Sequence, residues 1–187
     1  MDPAHGLLSS GSLGAGRWVR GEADDGRVRE RLGSVTSTGP RTGVQRKADV
    51  LEKLEGLHAD VWVATATESG AAHLVPLSLA WKGERVVLVT APDSATARNI
   101  VRSRAARLAL GGTRDVVMID ARLDEATALE EASSELVDAY AQQADWDPRS
   151  AGGVFVLLVL RPHRIQAWRE ADEIDGRTLM RDGRWLF

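Results

Sequence analysis

Between residues 60 and 90 three runs rich in β-branched and apolar residues follow one another, separated by only three or four turn-forming residues. Strands joined that tightly pair as an antiparallel meander. The runs are 60–67, 73–81 and 85–90, and the turns are Glu68-Ser69-Gly70-Ala71 and Lys82-Gly83-Glu84. A meander leaves two edges of unpaired backbone groups, which must be closed by further pairing or covered by a partner chain. Later runs can supply that pairing. Residues 107–110 and 116–123 flank the turn at 111–115, and residues 153–161 are almost unbroken in apolar character, which implies burial on both faces. That run resumes at 164–168 beyond Pro162, and a last hairpin turns at Asp182-Gly183. Six or seven short antiparallel strands with inserted helices predict a mainly β chain of the α+β class, folded as a small closed or split β-barrel.

Three helices are expected between the strands. Thr42 and Gln45 match a capping box, with Val50, Leu51, Leu54 and Leu57 as the apolar stripe behind it. Asp93 or Ser94 caps a short helix running to Val101, and Thr127 with Glu130 forms a second capping box before Leu129, Ala132, Leu136 and Tyr140. Residues 1–45 hold nine of the 18 glycines and show neither period, so they read as a disordered extension to a folded domain at 46–187. The glycines of residues 11–16 do not form a dinucleotide-binding loop, because no strand precedes them and their spacing is wrong.

Several function classes fall away on composition. Lys+Arg 24 against Asp+Glu 27 leaves a net charge of −3, without the basic field that nucleic-acid binding needs. The absence of cysteine excludes disulfides, thiolate nucleophiles and Cys-ligated clusters. The longest apolar run, residues 154–160, falls far short of the roughly 20 residues that cross a bilayer. With no signal-peptide pattern at the N-terminus, the expected compartment is the cytoplasm. The four histidines, His5, His58, His73 and His163, share no metal-ligand spacing, so no metal is expected and His73 reads as structural. No Gly-x-Ser-x-Gly occurs, which removes the usual elbow for acyl transfer. Six tryptophans stand against two phenylalanines and one tyrosine, and most are expected in the core, with Trp168 at a strand end where it could stack on a planar ligand or simply cover the barrel end.

The remaining concentration of chemistry is residues 90–99. Thr90, Ser94, Thr96, Arg98 and Asn99 gather hydroxyls, a guanidinium and a helix N-terminus, a set suited to a phosphate. Ser94 and Arg98 share a helix face at i, i+4. The same spacing also suits a simple cap and a solvated cation.

These residues resemble the pyridoxamine 5'-phosphate oxidase-like family of split-barrel flavoproteins, which includes deazaflavin-dependent reductases. Residues 70–78 look like the strand that runs beside the flavin ring, residues 90–99 like the phosphate-binding turn, and residues 162–168 like the signature strand bearing a cofactor-contacting tryptophan. The resemblance implies FMN or the deazaflavin coenzyme as cofactor, with Pro76, Leu77 and Ser78 along the ring and Thr90, Ser94, Thr96, Arg98 and Asn99 about the phosphate. It implies a homodimer in which Trp168 and Arg181 reach the site from the partner chain, and it assigns Arg177 to an anionic small-molecule substrate. Two departures stand out: Thr96 replaces a phosphate-site lysine and Leu179 replaces a substrate-site histidine, which argues against vitamin B6 oxidation itself. The implied activity is hydride transfer between bound cofactor and an organic substrate. The alternatives are a noncatalytic flavin or haem carrier on the same barrel, and an interaction module with an empty barrel.

Overall fold

The computed structural model describes residues 39–187; of the extension expected to be disordered, residues 1–45, all but the last seven lie outside them. Three helices, α1 (Gly43–Glu55), α2 (Ala95–Ser103) and α3 (Ser134–Ala144), accompany eight strands. The strands are β1 (Asp60–Ala66), β2 (Ala72–Lys82), β3 (Arg85–Thr90), β4 (Ala105–Leu110), β5 (Val116–Ala128), β6 (Val156–Trp168), β7 (Thr178–Arg181) and β8 (Arg184–Trp185). The sheet order is β3-β2-β1-β4-β5-β6-β7-β8, and an added β3–β6 pairing closes the first six strands into an antiparallel barrel. Strand β8 is only two residues long, which takes the count one past the six or seven expected. Its hairpin turns at Asp182 and Gly183, both with positive φ, the backbone that a two-residue turn requires.

Closure explains the unbroken apolar runs. Val86, Leu88, Leu158 and Leu160 fill the barrel interior with Val61, Val63, Leu108 and Ile119. The alternate residues Val87, Val89, Leu157 and Val159 form a second core under Val137, Tyr140 and Ala144 of α3. The β3–β6 wall is therefore buried on both faces, as the lack of alternation implied. Branched aliphatics fill this narrow interior, and none of the five described tryptophans is buried, contrary to expectation.

The second capping box does not form. Thr127 belongs to β5 and donates to Glu125, because β6 needs a partner along its whole length and Thr127 pairs with Leu157. Helix α3 starts later, and its buried residue Gln143 ties it to the barrel. The Gln143 amide donates to the Leu54 and Gly56 carbonyls at 2.6 and 3.0 Å and accepts from the Trp81 N–H at 2.8 Å.

The first capping box forms with both reciprocal bonds, Gln45 N–H to Thr42 Oγ1 and Thr42 N–H to Gln45 Oε1. A boundary at 45/46 would cut this helix, so ordered structure reaches back at least to Arg41. The Arg41 side chain and amide both bind Glu173, with Nη2 2.7 Å and Nε 2.9 Å from its carboxylate. Glu173 also accepts from the Arg169 amide at 2.8 Å, and Asp49 takes Arg41 Nη1 at 2.6 Å. The segment after β6 is thus clamped to the start of α1. Glu173 is 4% exposed, and the bonds from Arg41 hold its carboxyl down at about 2 against an ordinary 4.5.

That lowered value contributes stability above pH 4.5 that is lost as the pH falls towards 2, on the order of 3 kcal/mol for this shift. Urea unfolding of the wild type at pH 5 and pH 2.5 is expected to show that loss, and Glu173→Gln should lower stability at pH 5 while flattening the pH dependence. An unchanged pH dependence in the variant would remove Glu173 from the clamp.

Candidate functional site

Residues 90–99 form the strand-to-helix turn expected of them. Thr90 ends β3, and its hydroxyl donates to Ser94 Oγ at 3.3 Å. Ser94 caps α2, accepting from the Ala97 N–H at 3.0 Å. Among the described residues nothing accepts from the Ala95 and Thr96 amides of the first turn. Arg98 is exposed and gives one N–H to the Asp93 carbonyl, which holds its guanidinium beside the helix end. Thr96 and Asn99 point the other way. Thr96 is 3% exposed and its hydroxyl meets His73 Nε2 at 3.0 Å, while Asn99 Nδ2 donates to Thr65 Oγ1 at 3.1 Å. These two seat α2 against β1 and β2, leaving Ser94, Arg98 and the free amides as the groups that fit an anion. His73 has this structural task, which neither its neighbours in sequence nor its spacing indicated.

On β2, Pro76 is exposed opposite Trp62, Leu77 packs against the core, and the Ser78 hydroxyl donates to Asp60 at 2.9 Å. Trp62 and Leu74 are 50% and 59% exposed. Register places Pro76, Trp62, Ala109, Met118 and Gln166 side by side on one outward face of β2, β1, β4, β5 and β6.

Trp168 ends β6 beside a cavity of about 330 Å³, with the Arg177 guanidinium 5.9 Å from its ring centroid. Arg181 is exposed on β7 opposite Arg164, and Leu179 between the arginines is fully buried core. A larger cavity of about 620 Å³ adjoins on the same wall, lined by Thr65, Thr67, Ser103, Arg107, Asp120 and His163. No local pattern predicts this wall, because Arg107, Asp120 and Arg164 become neighbours only through strand register.

Trp168 and the phosphate-type turn are far apart within one chain. Thr90 pairs with Val156, and Trp168 lies at the opposite end of the same strand, roughly 40 Å of strand away.

A model of the family described as pyridoxamine 5'-phosphate oxidase matches residues 51–169, more than half of the chain. No curated protein sequence matches significantly. Among solved structures, a Listeria innocua protein described as a candidate pyridoxamine 5'-phosphate oxidase aligns at 12% identity and a TM-score of 0.52, covering 66% of this chain and 98% of that one. Campylobacter jejuni ChuZ aligns at 12% identity and 0.57, covering 74% of this chain and 63% of its own. A haem binding protein from Mycobacterium smegmatis aligns at 17% and 0.53, covering 76% and 59% respectively. At these identities the structural likeness is one of fold. The family match itself spans both the turn at 90–99 and the strand ending in Trp168, and on that ground the chain belongs to the pyridoxamine 5'-phosphate oxidase family.

Proposed function

We propose that this protein is a homodimeric oxidoreductase that holds FMN or the deazaflavin coenzyme noncovalently between two chains and passes hydride between it and an organic substrate. The observation that carries this reading is the separation of the Thr90–Ser94 turn from Trp168 along β6. A twofold partner is the simplest way to bring one chain's turn to the other chain's tryptophan. The exposed apolar residues Trp62, Leu74 and Pro76 supply a face for that partner, since large apolar groups left together on a sheet favour association.

In this arrangement Ser94, Arg98 and the Ala95 and Thr96 amides receive the cofactor phosphate, with hydroxyl, guanidinium and helix dipole all favouring an anion. Pro76 to Ser78 run along the ring edge, and the partner's copies of Trp168 and Arg181 close the site. When bound, the ring supplies the hydride chemistry; the chain orients it, excludes water and presents Arg177 to an anionic substrate. Titrating FMN and the deazaflavin separately is expected to give binding that Arg98→Ala weakens by about 1.5–3 kcal/mol, the worth of a charge-assisted phosphate contact. Equal affinity in variant and wild type would take Arg98 out of the site.

One observation favours a second reading, a noncatalytic haem carrier on the same barrel. His163 lines the 620 Å³ cavity, and its imidazole has no hydrogen-bond partner among the described residues. Such a free nitrogen would let His163 hold a haem iron. If this reading holds, titrated haemin gives a sharp Soret band that His163→Ala abolishes; if the flavin reading holds, the two proteins give the same unshifted haemin spectrum.

A further inference from the structure

The wall below Trp168 carries more positive charge than its own carboxylates balance. Arg107 Nε lies 2.6 Å from Asp120, and Arg164 reaches the other oxygen of the same carboxylate at 3.7 Å. Among the described residues Arg177 makes no ion pair; it donates to the Ile174 carbonyl and covers the Trp168 ring. In the amide orientation that satisfies its neighbours, Gln166 Oε1 accepts from Arg164 Nη2 at 2.9 Å and Arg177 Nε at 3.1 Å. Three guanidiniums therefore share one carboxylate and one neutral acceptor; Arg107 and Arg177 line one cavity with those two acceptors, and Arg164 adjoins it through its contacts to both. Register adds a fourth, because Arg181 stands directly opposite Arg164 on the neighbouring strand. Like charges placed opposite one another on a sheet face cost stability unless something compensates them.

The cavity has a lining suited to an aromatic molecule. The Trp168 ring and Met118 give it apolar walls, and its volume of about 330 Å³ suits one ring with its substituents. Arg177 covers the Trp168 ring and Arg107 pairs with Asp120, so the two lining cations sit against different partners, with Arg164 adding its charge beside the same carboxylate.

From this arrangement we infer that the cavity binds a small planar molecule bearing two anionic groups, one met by Arg177 and the other by the Arg107–Arg164 pair. Asp120 pairs with both arginines and partly neutralises them, and so sets the net charge that the second anionic group meets. The role assigned to the ligand, substrate of the bound cofactor, rests on the function proposed above; its capture by these arginines does not.

The experiment uses the cofactor-free protein and two probes, isophthalate with two carboxylates and benzoate with one, titrated by calorimetry and by Trp fluorescence. The wild type should bind isophthalate at least tenfold more tightly than benzoate, with a preference that shrinks in high salt. Arg107→Gln and Arg164→Gln should each bring the two probes to nearly equal affinity. Asp120→Asn should tighten isophthalate severalfold, a direction that loss of folded protein cannot mimic. Equal affinity for both probes in the wild type, or weaker isophthalate binding in a folded Asp120→Asn protein, overturns the inference. Isophthalate binding in a protein that takes up neither FMN nor deazaflavin would leave the dianion site standing and remove the cofactor reading alone.

Discussion

Strand β6 is hydrogen-bonded on both edges, and that double engagement determines where everything else lies. One edge pairs with β5 along its length; the other pairs with β3 from Val156 to Leu160 and then with β7 from Arg164 to Gln166. The exchange of partners falls at Pro162 and His163, where the β5 register slips by a residue. Proline has no N–H to offer a ladder, so it sits at the one place on this edge where neither β3 nor β7 asks for one. The first half of the strand closes the barrel and is buried on both faces. The second half leaves the closed section and carries His163, Gln166 and Trp168 to the cavities, with Arg164 between them bound to Asp120. One strand thus serves as wall at one end and as binding surface at the other.

Polar groups fix that second half in place. Glu173 gathers four N–H donors from Arg41 and Arg169, and the buried Arg46 guanidinium donates to the Glu173 carbonyl at 3.2 Å. These contacts hold the segment between Trp168 and Arg177 against α1, so the N-terminal helix sets the position of a cavity it does not line. Helix α2 is seated in the same manner by Thr96 and Asn99, whose buried bonds to His73 and Thr65 aim its N-terminus outwards with Ser94 and Arg98. Side chains that resemble ligands in the sequence hold the backbone here, and the backbone amides are presented instead.

Much of this was readable from residues alone where the signal is local. Tight turns predicted the meander, Thr42 and Gln45 predicted the start of α1, and the unbroken apolar run at 153–161 predicted a strand covered on two sides. What failed depended on partners distant in sequence. Thr127 and Glu130 have the spacing of a helix start, yet pairing with Leu157 keeps Thr127 in β5. The tryptophans have the composition of a core, yet the barrel interior takes branched aliphatics, and of the described indoles Trp81 and Trp185 only pack against its edge while Trp62 and Trp146 are exposed. Thr96 has the spacing of a phosphate ligand, but one helical step from Ala95 turns its hydroxyl inward to His73. The arginine row across β4, β5, β6 and β7 exists only once register is known.

The proposed assembly of one functional site from two chains is tested most directly by mixing two defective proteins. Arg98→Ala damages the turn end of the site and Trp168→Ala the opposite end, so each homodimer carries two damaged sites. If the site is shared, refolding the two together in equal amounts places both lesions in one site of each mixed dimer and leaves the other intact, restoring wild-type cofactor binding to about one quarter of all sites. Titration that finds no wild-type sites in the mixture, although the chains have exchanged, would mean that each chain binds alone and would contradict the account.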